Sequence, residues 1–202
     1  MNILICIGLW FIFALQHSIL ARPFFKRIIK NVFGKIFEEH FYRFFYFLSQ
    51  CVIFYLIYDI ISNIHNKIVI FEIQDQFKFI YYILGIFSKV FLIISVLQFN
   101  ISHFIGIKQM SSFFTQNKKD EKVQMNKTYL YRFLRHPMYC GIILCYIFST
   151  TIITEIFVTN LVCIIIYIEI GSYFEEKVLI QEFGEEYLEY KKNTYKYLPF
   201  IR

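Results

Sequence analysis

The sequence predicts an all-α integral membrane bundle of five transmembrane helices, with the N-terminus outside, the C-terminus in the cytosol and a cytosolic C-terminal amphipathic helix. Three observations predict it. Of 202 residues, 57% are hydrophobic and 21% aromatic, and only 18% are charged, against roughly a quarter charged in ordinary soluble domains. Five stretches have the apolar length of roughly 17–25 residues that a bilayer core demands. Lys and Arg also alternate in density from one connection to the next, as cytosolic and external loops do.

The spans fall at about 3–20, 44–61, 79–98, 137–153 and 156–174, within a single domain over 1–202, and the tail over 175–202 is expected in the cytosol. The first stretch has no basic region before it and no Ala-x-Ala site after it, so it reads as a retained span rather than a cleaved signal. The last two spans lie in one apolar block over 137–174. As one straight helix it would measure roughly 57 Å, nearly twice the hydrocarbon thickness, so the chain must reverse. The polar cluster Thr150, Thr151, Thr154 and Glu155 is the expected turning point.

Orientation follows from charge. Arg22, Lys26, Arg27, Lys30, Lys35 and Arg43 follow the first span, whereas the next connection holds only Lys67 and Lys78. The third connection and the tail are again basic, so that eighteen cations lie on one side and two on the other. The basic side stays inside. The net charge of +6 is accounted for by this topology and by anionic lipid heads, and calls for no nucleic-acid partner. All five cysteines (Cys6, Cys51, Cys140, Cys145, Cys163) lie in apolar stretches without metal-type spacing and read as packing residues. No metal site is expected.

Several polar residues are not explained by the bilayer. His17 follows Gln16 at the inner end of the first span; it is either an interfacial helix end meeting water or a site residue. The run Arg135-His136-Pro137-Met138-Tyr139-Cys140-Gly141 opens the fourth span. Pro137 suits a first helical turn, and exposed backbone N–H groups there can receive a carboxylate; the plainer reading is a pair of interfacial anchors. Glu175 and Glu176 close the fifth span. An antiparallel hairpin of the last two spans would bring His136 and Tyr139 to these two glutamates. Asn100 and His103, just past the third span, are expected on the same face. Such a cluster suits a small zwitterionic cofactor, with Arg135 and the helix start taking a carboxylate and a glutamate taking an ammonium or ribose hydroxyls. Glu169 and Lys89 lie inside spans, where charges are costly; they are either functional or paired with each other. The acids and lysines beyond Glu176 read as a solvated amphipathic helix on the membrane surface.

Arg-His-Pro-x-Tyr-x-Gly, a hydrophobic hairpin and then Glu-Glu resembles the pattern of membrane methyltransferases related to isoprenylcysteine carboxyl methyltransferase and the phospholipid methyltransferases. Phe183-Gly184, Tyr187, Tyr190 and Pro199 are also in keeping. The resemblance implies an S-adenosylmethionine pocket facing the cytosol, built from Arg135, His136, Tyr139, Gly141, Glu175 and Glu176. The N-terminal half, with Phe13-Ala14-Leu15-Gln16-His17-Ser18, Ala21-Arg22-Pro23, Phe25-Lys26, Asn100 and the run from Phe104 to Gln109, looks like the bacterial methanethiol S-methyltransferases. His103 and Lys108 depart from that pattern, which would have an aspartate and an arginine there. The resemblance implies a small thiol acceptor, methanethiol, converted to dimethyl sulfide, in a multi-pass protein of the bacterial inner membrane whose partners are that thiol and membrane lipid. No obligate protein partner is expected.

On this reading a histidine at the membrane boundary removes the thiol proton, because the thiolate is the nucleophile. His17 is the first candidate for this base and His103 the second. The alternatives are another acceptor, a prenylated cysteine carboxylate or a phospholipid amine; a membrane reductase of the sterol type using NADPH, which bears a similar Arg-His-Pro-x-Tyr pattern; and a haem protein with His17, His103 and His136 as ligands.

Overall fold

The structure, a computed structural model, describes residues 2–65, 67–98, 101–115, 125 and 127–197. It is mostly helical. The chain divides into two compact units, Met1–Asn66 with Asn100–Lys122, and Lys67–Phe99 with Val123–Arg202.

In the first unit α1 (Asn2–Ala21) and α4 (Tyr42–Ser62) have the length and apolarity of membrane spans. They meet along an aromatic seam, with Trp10 and Phe13 against Phe54 and His17 against Tyr46 at 5.6 Å. Tyr42 donates to the Leu20 carbonyl at 2.6 Å, tying the end of α1 to the start of α4. Between them run α2 (Pro23–Phe33) and α3 (Lys35–His40), and after α4's unit resumes come α6 (Ile101–Phe104) and α7 (Ile107–Thr115). Gly106, between α6 and α7, has φ of +89°, and a Cβ there would lie 2.6 Å from the Phe44 backbone nitrogen. Only glycine meets both conditions.

In the second unit β1 (Val69–Glu72) pairs antiparallel with β2 (Ile152–Thr154), an element the all-α expectation did not contain. The strands hold together the two polar turns that precede α5 (Asp75–Leu97) and α9 (Glu155–Phe183). Ile73 N–H donates to the Thr151 carbonyl at 2.9 Å and Glu155 N–H to the Ile68 carbonyl at 3.1 Å. Thr154 caps α9 by accepting from the Phe157 N–H, so the predicted reversal point does turn the chain.

Among the described residues four helices, α1, α4, α5 and α9, are long and apolar enough to cross a membrane. The expected fourth span, 137–153, is instead α8 (Pro137–Ile147), 11 residues long, which at 1.5 Å per residue reaches only about 16 Å. Polar Ser149, Thr150 and Thr151 compete for backbone groups and end it early. α9 compensates in the other direction: its 29 residues extend about 43 Å, beyond the roughly 30 Å hydrocarbon core. Glu175 and Glu176 therefore lie inside a continuous helix, not at its end.

α5 and α8 approach closely because the contact surface is small. An added Cβ at Gly141 would lie 3.0 Å from Leu92 Cα, and one at Gly85 3.1 Å from the Phe148 carbonyl oxygen. Ser88 and Ser95, both buried, return their hydroxyls to Leu84 and Phe91 carbonyls at 2.7 and 2.8 Å, so no polar atom is left bare in an apolar contact. The outward surfaces are apolar: Leu4 is 73% exposed and Phe79 72%. That inverted surface is what hydrocarbon solvates. α10 (Glu185–Asn193) follows Gly184, whose φ is +57°.

Candidate active site

α9 buries a seam with a four-residue spacing, Ile156, Asn160, Ile164, Ile168, Ser172 and Glu176. The seam delivers Glu176 to the start of α8. After α10 the chain runs back beside the residues preceding α8, where Arg135 N–H donates to the Tyr195 carbonyl at 2.8 Å and His136 N–H to the Lys196 carbonyl at 3.1 Å. These backbone bonds fix the approach to Pro137, which stands at the first turn of α8.

Two cations and an imidazole enclose Glu176. Arg135 Nε donates to its Oε1 at 2.9 Å, His136 Nε2 lies 3.2 Å from the same oxygen, and Lys191 Nζ donates to Oε2 at 2.6 Å. The Arg135 side chain is 1% exposed and that of Glu176 7%. Arg135 Nη1 also donates to the Lys191 and Thr194 carbonyls at 3.1 and 2.6 Å, so the guanidinium ties α9 to the end of α10. A buried pair survives only with its remaining hydrogen-bonding groups satisfied. This one is.

Glu175, one residue earlier, is placed differently. Its side chain is 40% exposed; Tyr139 donates to Oε2 at 2.9 Å and His136 Nδ1 lies 3.6 Å from that oxygen. The Tyr139 and His136 rings stack at 5.3 Å. One carboxylate is therefore consumed by structure, while the other, whose Oε1 has no hydrogen-bond partner among the described residues, keeps an open side for a ligand. An exposed carboxylate next to stacked rings can receive a cation or hydroxyl groups.

Tyrosines surround the cluster. Tyr190 donates to the Tyr131 carbonyl at 2.6 Å. Burial, helped by the charge of Glu175, pushes the Tyr131 phenol up to about 12, and burial raises Tyr187 and Tyr190 as well. All three stay protonated at neutral pH. Tyr187 is 2% exposed, and its hydroxyl has no hydrogen-bond partner among the described residues. Tyr197 bonds to Ser172 and Lys196 to Glu169. Glu169 thus takes Lys196 as its partner, where the sequence suggested Lys89.

Of the predicted site residues, Arg135, His136, Tyr139, Glu175 and Glu176 come together in the second unit. Gly141 serves there as the contact of α8 with Leu92 of α5. His17 and His103 belong to the first unit: His17 stacks on Phe13 at 6.1 Å and faces Tyr46, and the carbonyl of His103 accepts from Gln109 Nε2 at 3.3 Å. Asn100 and Pro199 lie outside the described residues. Lys191, Thr194 and Tyr131 were missed. Lys191 lies in a run of acids and lysines that reads as a solvated face, and its one signal was a cation in the last turn of the helix that follows the paired glutamates.

The family model described as phospholipid methyltransferase matches residues 80–186, the stretch holding most of α5 and all of α6, α7, α8, β2 and α9. Among curated proteins, a methanethiol S-methyltransferase of Crocosphaera subtropica is 31% identical over 98% of this chain and 75% of its own length. One of Pseudomonas deceptionensis is 30% identical over 95% of this chain and 70% of its own length. The protein-S-isoprenylcysteine O-methyltransferase of Homo sapiens is 36% identical over 43% of this chain and 31% of its own length. No solved structure matches the chain. With apolar helices of spanning length, a matched methyltransferase core and relatives similar along nearly the whole chain, this protein is a membrane methyltransferase belonging to the phospholipid methyltransferase family.

Proposed function

We propose that this methyltransferase uses S-adenosylmethionine to methylate a small thiol, methanethiol, giving dimethyl sulfide at the cytosolic face of a bacterial inner membrane, in a five-span topology with the N-terminus outside, in which the short α8 and the segment that continues it to β2 make the fourth crossing. The observation that carries the acceptor is the reach of the similarity. Relatives named for methanethiol match 98% and 95% of the chain, whereas the human isoprenylcysteine enzyme matches 43%.

The residues of the second unit fit the donor. S-adenosylmethionine carries an ammonium, a carboxylate and ribose hydroxyls, and the half-exposed Glu175 carboxylate, steadied by Tyr139, is an acceptor for the first or the last of these. Arg135 and Lys191 neutralise Glu176, with His136 Nε2 beside the same carboxylate, and so hold the start of α8 in place, where backbone N–H groups can receive a carboxylate. Gly141 lets α8 seat against α5. Bound S-adenosylmethionine supplies an electrophilic methyl on a sulfonium sulfur, whose positive charge vanishes as the new carbon–sulfur bond forms.

The acceptor's proton must leave before or during attack, since the thiolate is the nucleophile. His17 is the proposed base and His103 the second candidate: an imidazole nitrogen takes the S–H proton and passes it to water. A small alkanethiol partitions into apolar surroundings, so a base at the membrane boundary meets it where it accumulates.

Labelled methyl transfer by the purified protein tests the proposal, with methanethiol and a farnesylcysteine analogue as rival acceptors. Methanethiol is expected to be the substrate, and His17→Ala to lose about 100-fold or more, the scale of general-base catalysis. Preferred labelling of the farnesyl compound refutes the acceptor; an unchanged rate and pH profile in His17→Ala refutes the base.

A further inference from the structure

α2 (Pro23–Phe33) is an unusual helix for the edge of a bundle. At about 100° per residue, Phe24, Phe25, Ile28, Ile29, Val32 and Phe33 fill one half of its circumference, and Lys26, Arg27, Lys30 and Asn31 the other. The polar half holds three cations and no carboxylate. The protein covers only part of the apolar half: Phe25 approaches Tyr42, whereas Phe24, Ile28 and Val32 are 47%, 46% and 67% exposed. A single residue, Arg22, separates α2 from the end of α1. The backbone bonds pass through it, from Arg22 N–H to the Ile19 carbonyl and from Lys26 N–H to the Arg22 carbonyl, both at 3.2 Å. A helix tied so tightly to the end of a membrane span lies where hydrocarbon meets headgroups. Its halves match that boundary, with apolar side chains toward the acyl region and cations toward anionic lipid.

Beside α2 is a cavity of about 410 Å³. Lys26 from the cationic half of α2 and Arg43 from the first turn of α4 line it, together with Glu38 and Glu39 of α3 and Gln109 of α7. Arg43 spends its Nε on the Phe104 carbonyl at 3.1 Å, and its terminal nitrogens have no hydrogen-bond partner among the described residues. Glu39 is paired with Lys35 at 3.4 Å. Gln109 donates through Nε2 to the His103 carbonyl, while its Oε1 is buried without a hydrogen-bond partner among the described residues. The lining thus offers two cations to a phosphate and, beside them, acceptors that suit hydroxyl groups.

We propose that this cavity is a binding site for an anionic phospholipid with a hydroxylated headgroup, its phosphate held by Lys26 and Arg43, its hydroxyls facing Gln109 Oε1 and Glu38, and its acyl chains lying along the apolar half of α2. A lipid is the occupant that uses both features at once, because a free phosphate has no use for the exposed Phe24, Ile28 and Val32 stripe. The site is independent of the methyl acceptor.

Native mass spectrometry of the full chain in detergent, titrated separately with phosphatidylglycerol, phosphatidylethanolamine and phosphatidylcholine, tests it. One phosphatidylglycerol per chain is expected to bind at least fivefold more tightly than either other lipid. Lys26→Gln should weaken that binding about tenfold, with thermal unfolding and phosphatidylcholine binding unchanged, and Lys26→Arg should preserve it. Inorganic phosphate at equal concentration should not displace the lipid. Phosphatidylethanolamine bound as well as phosphatidylglycerol, phosphatidylglycerol binding unaffected by Lys26→Gln, or displacement by inorganic phosphate would each overturn the proposal.

Discussion

Glu175 and Glu176 are adjacent, chemically identical and successive on one helix, yet a rotation of about 100° between them divides their tasks. Glu176 faces inward and meets Arg135, His136 and Lys191; Glu175 faces the edge and, among the described residues, meets Tyr139 and the more distant ring nitrogen of His136. Removing the charge of Glu176 would strand a buried guanidinium, a loss on the order of 3–5 kcal/mol. Glu176→Gln is therefore expected to lower the thermal unfolding midpoint sharply in detergent. Glu175→Gln should unfold within about 1 kcal/mol of the parent, since the Glu175 side chain itself keeps solvent contact, while donor affinity measured by calorimetry drops about tenfold. Equal stability loss in both variants would contradict the division. The pair was legible in the sequence because two carboxylates at the end of an apolar run have no membrane reason to be there. Their unlike roles were not legible, because the difference arises from Lys191, fifteen residues further on and folded back by the turn at Gly184.

Helices α5 and α8 show what small residues do at the scale of an element. Gly141 sits where a Cβ would press on Leu92, and nothing lies within 4 Å of a Cβ built on Gly8 in α1. Gly141→Val should cost about 1–3 kcal/mol from overpacking, whereas Gly8→Ala should be neutral or stabilise by up to about 1 kcal/mol, the helix cost of glycine. Paired thermal melts check both signs. The spans themselves were readable, as apolar length is a direct requirement of the bilayer: 3–20, 44–61 and 79–98 became Asn2–Ala21, Tyr42–Ser62 and Asp75–Leu97. The last hairpin was readable only in part. Thr150 to Glu155 did mark the turn, but hydropathy could not reveal that Ile152 and Ile153 leave the helix to pair with Phe71 and Glu72, since isoleucine serves a strand or an apolar helix equally. Nor does hydropathy see α9 continuing through Glu175 and Glu176 to Phe183, because that extension is held by contacts with Arg135 and α10 and not by lipid.

For the whole molecule, the proposed topology and the proposed chemistry stand together. The cationic connections and the Glu175 cluster must share the cytosolic side if an S-adenosylmethionine pocket is to be filled from the cytosol. A C-terminal green fluorescent protein fusion should fluoresce, and alkaline phosphatase inserted in the 63–68 connection should be active; the reverse pattern would remove the donor's access. The most direct measurement is of the reaction itself. Cells expressing the chain and supplied with methanethiol should accumulate dimethyl sulfide in the headspace, and cells expressing Glu175→Gln should accumulate much less. No dimethyl sulfide from a membrane-inserted protein that still binds S-adenosylmethionine would contradict the account and turn attention to another acceptor.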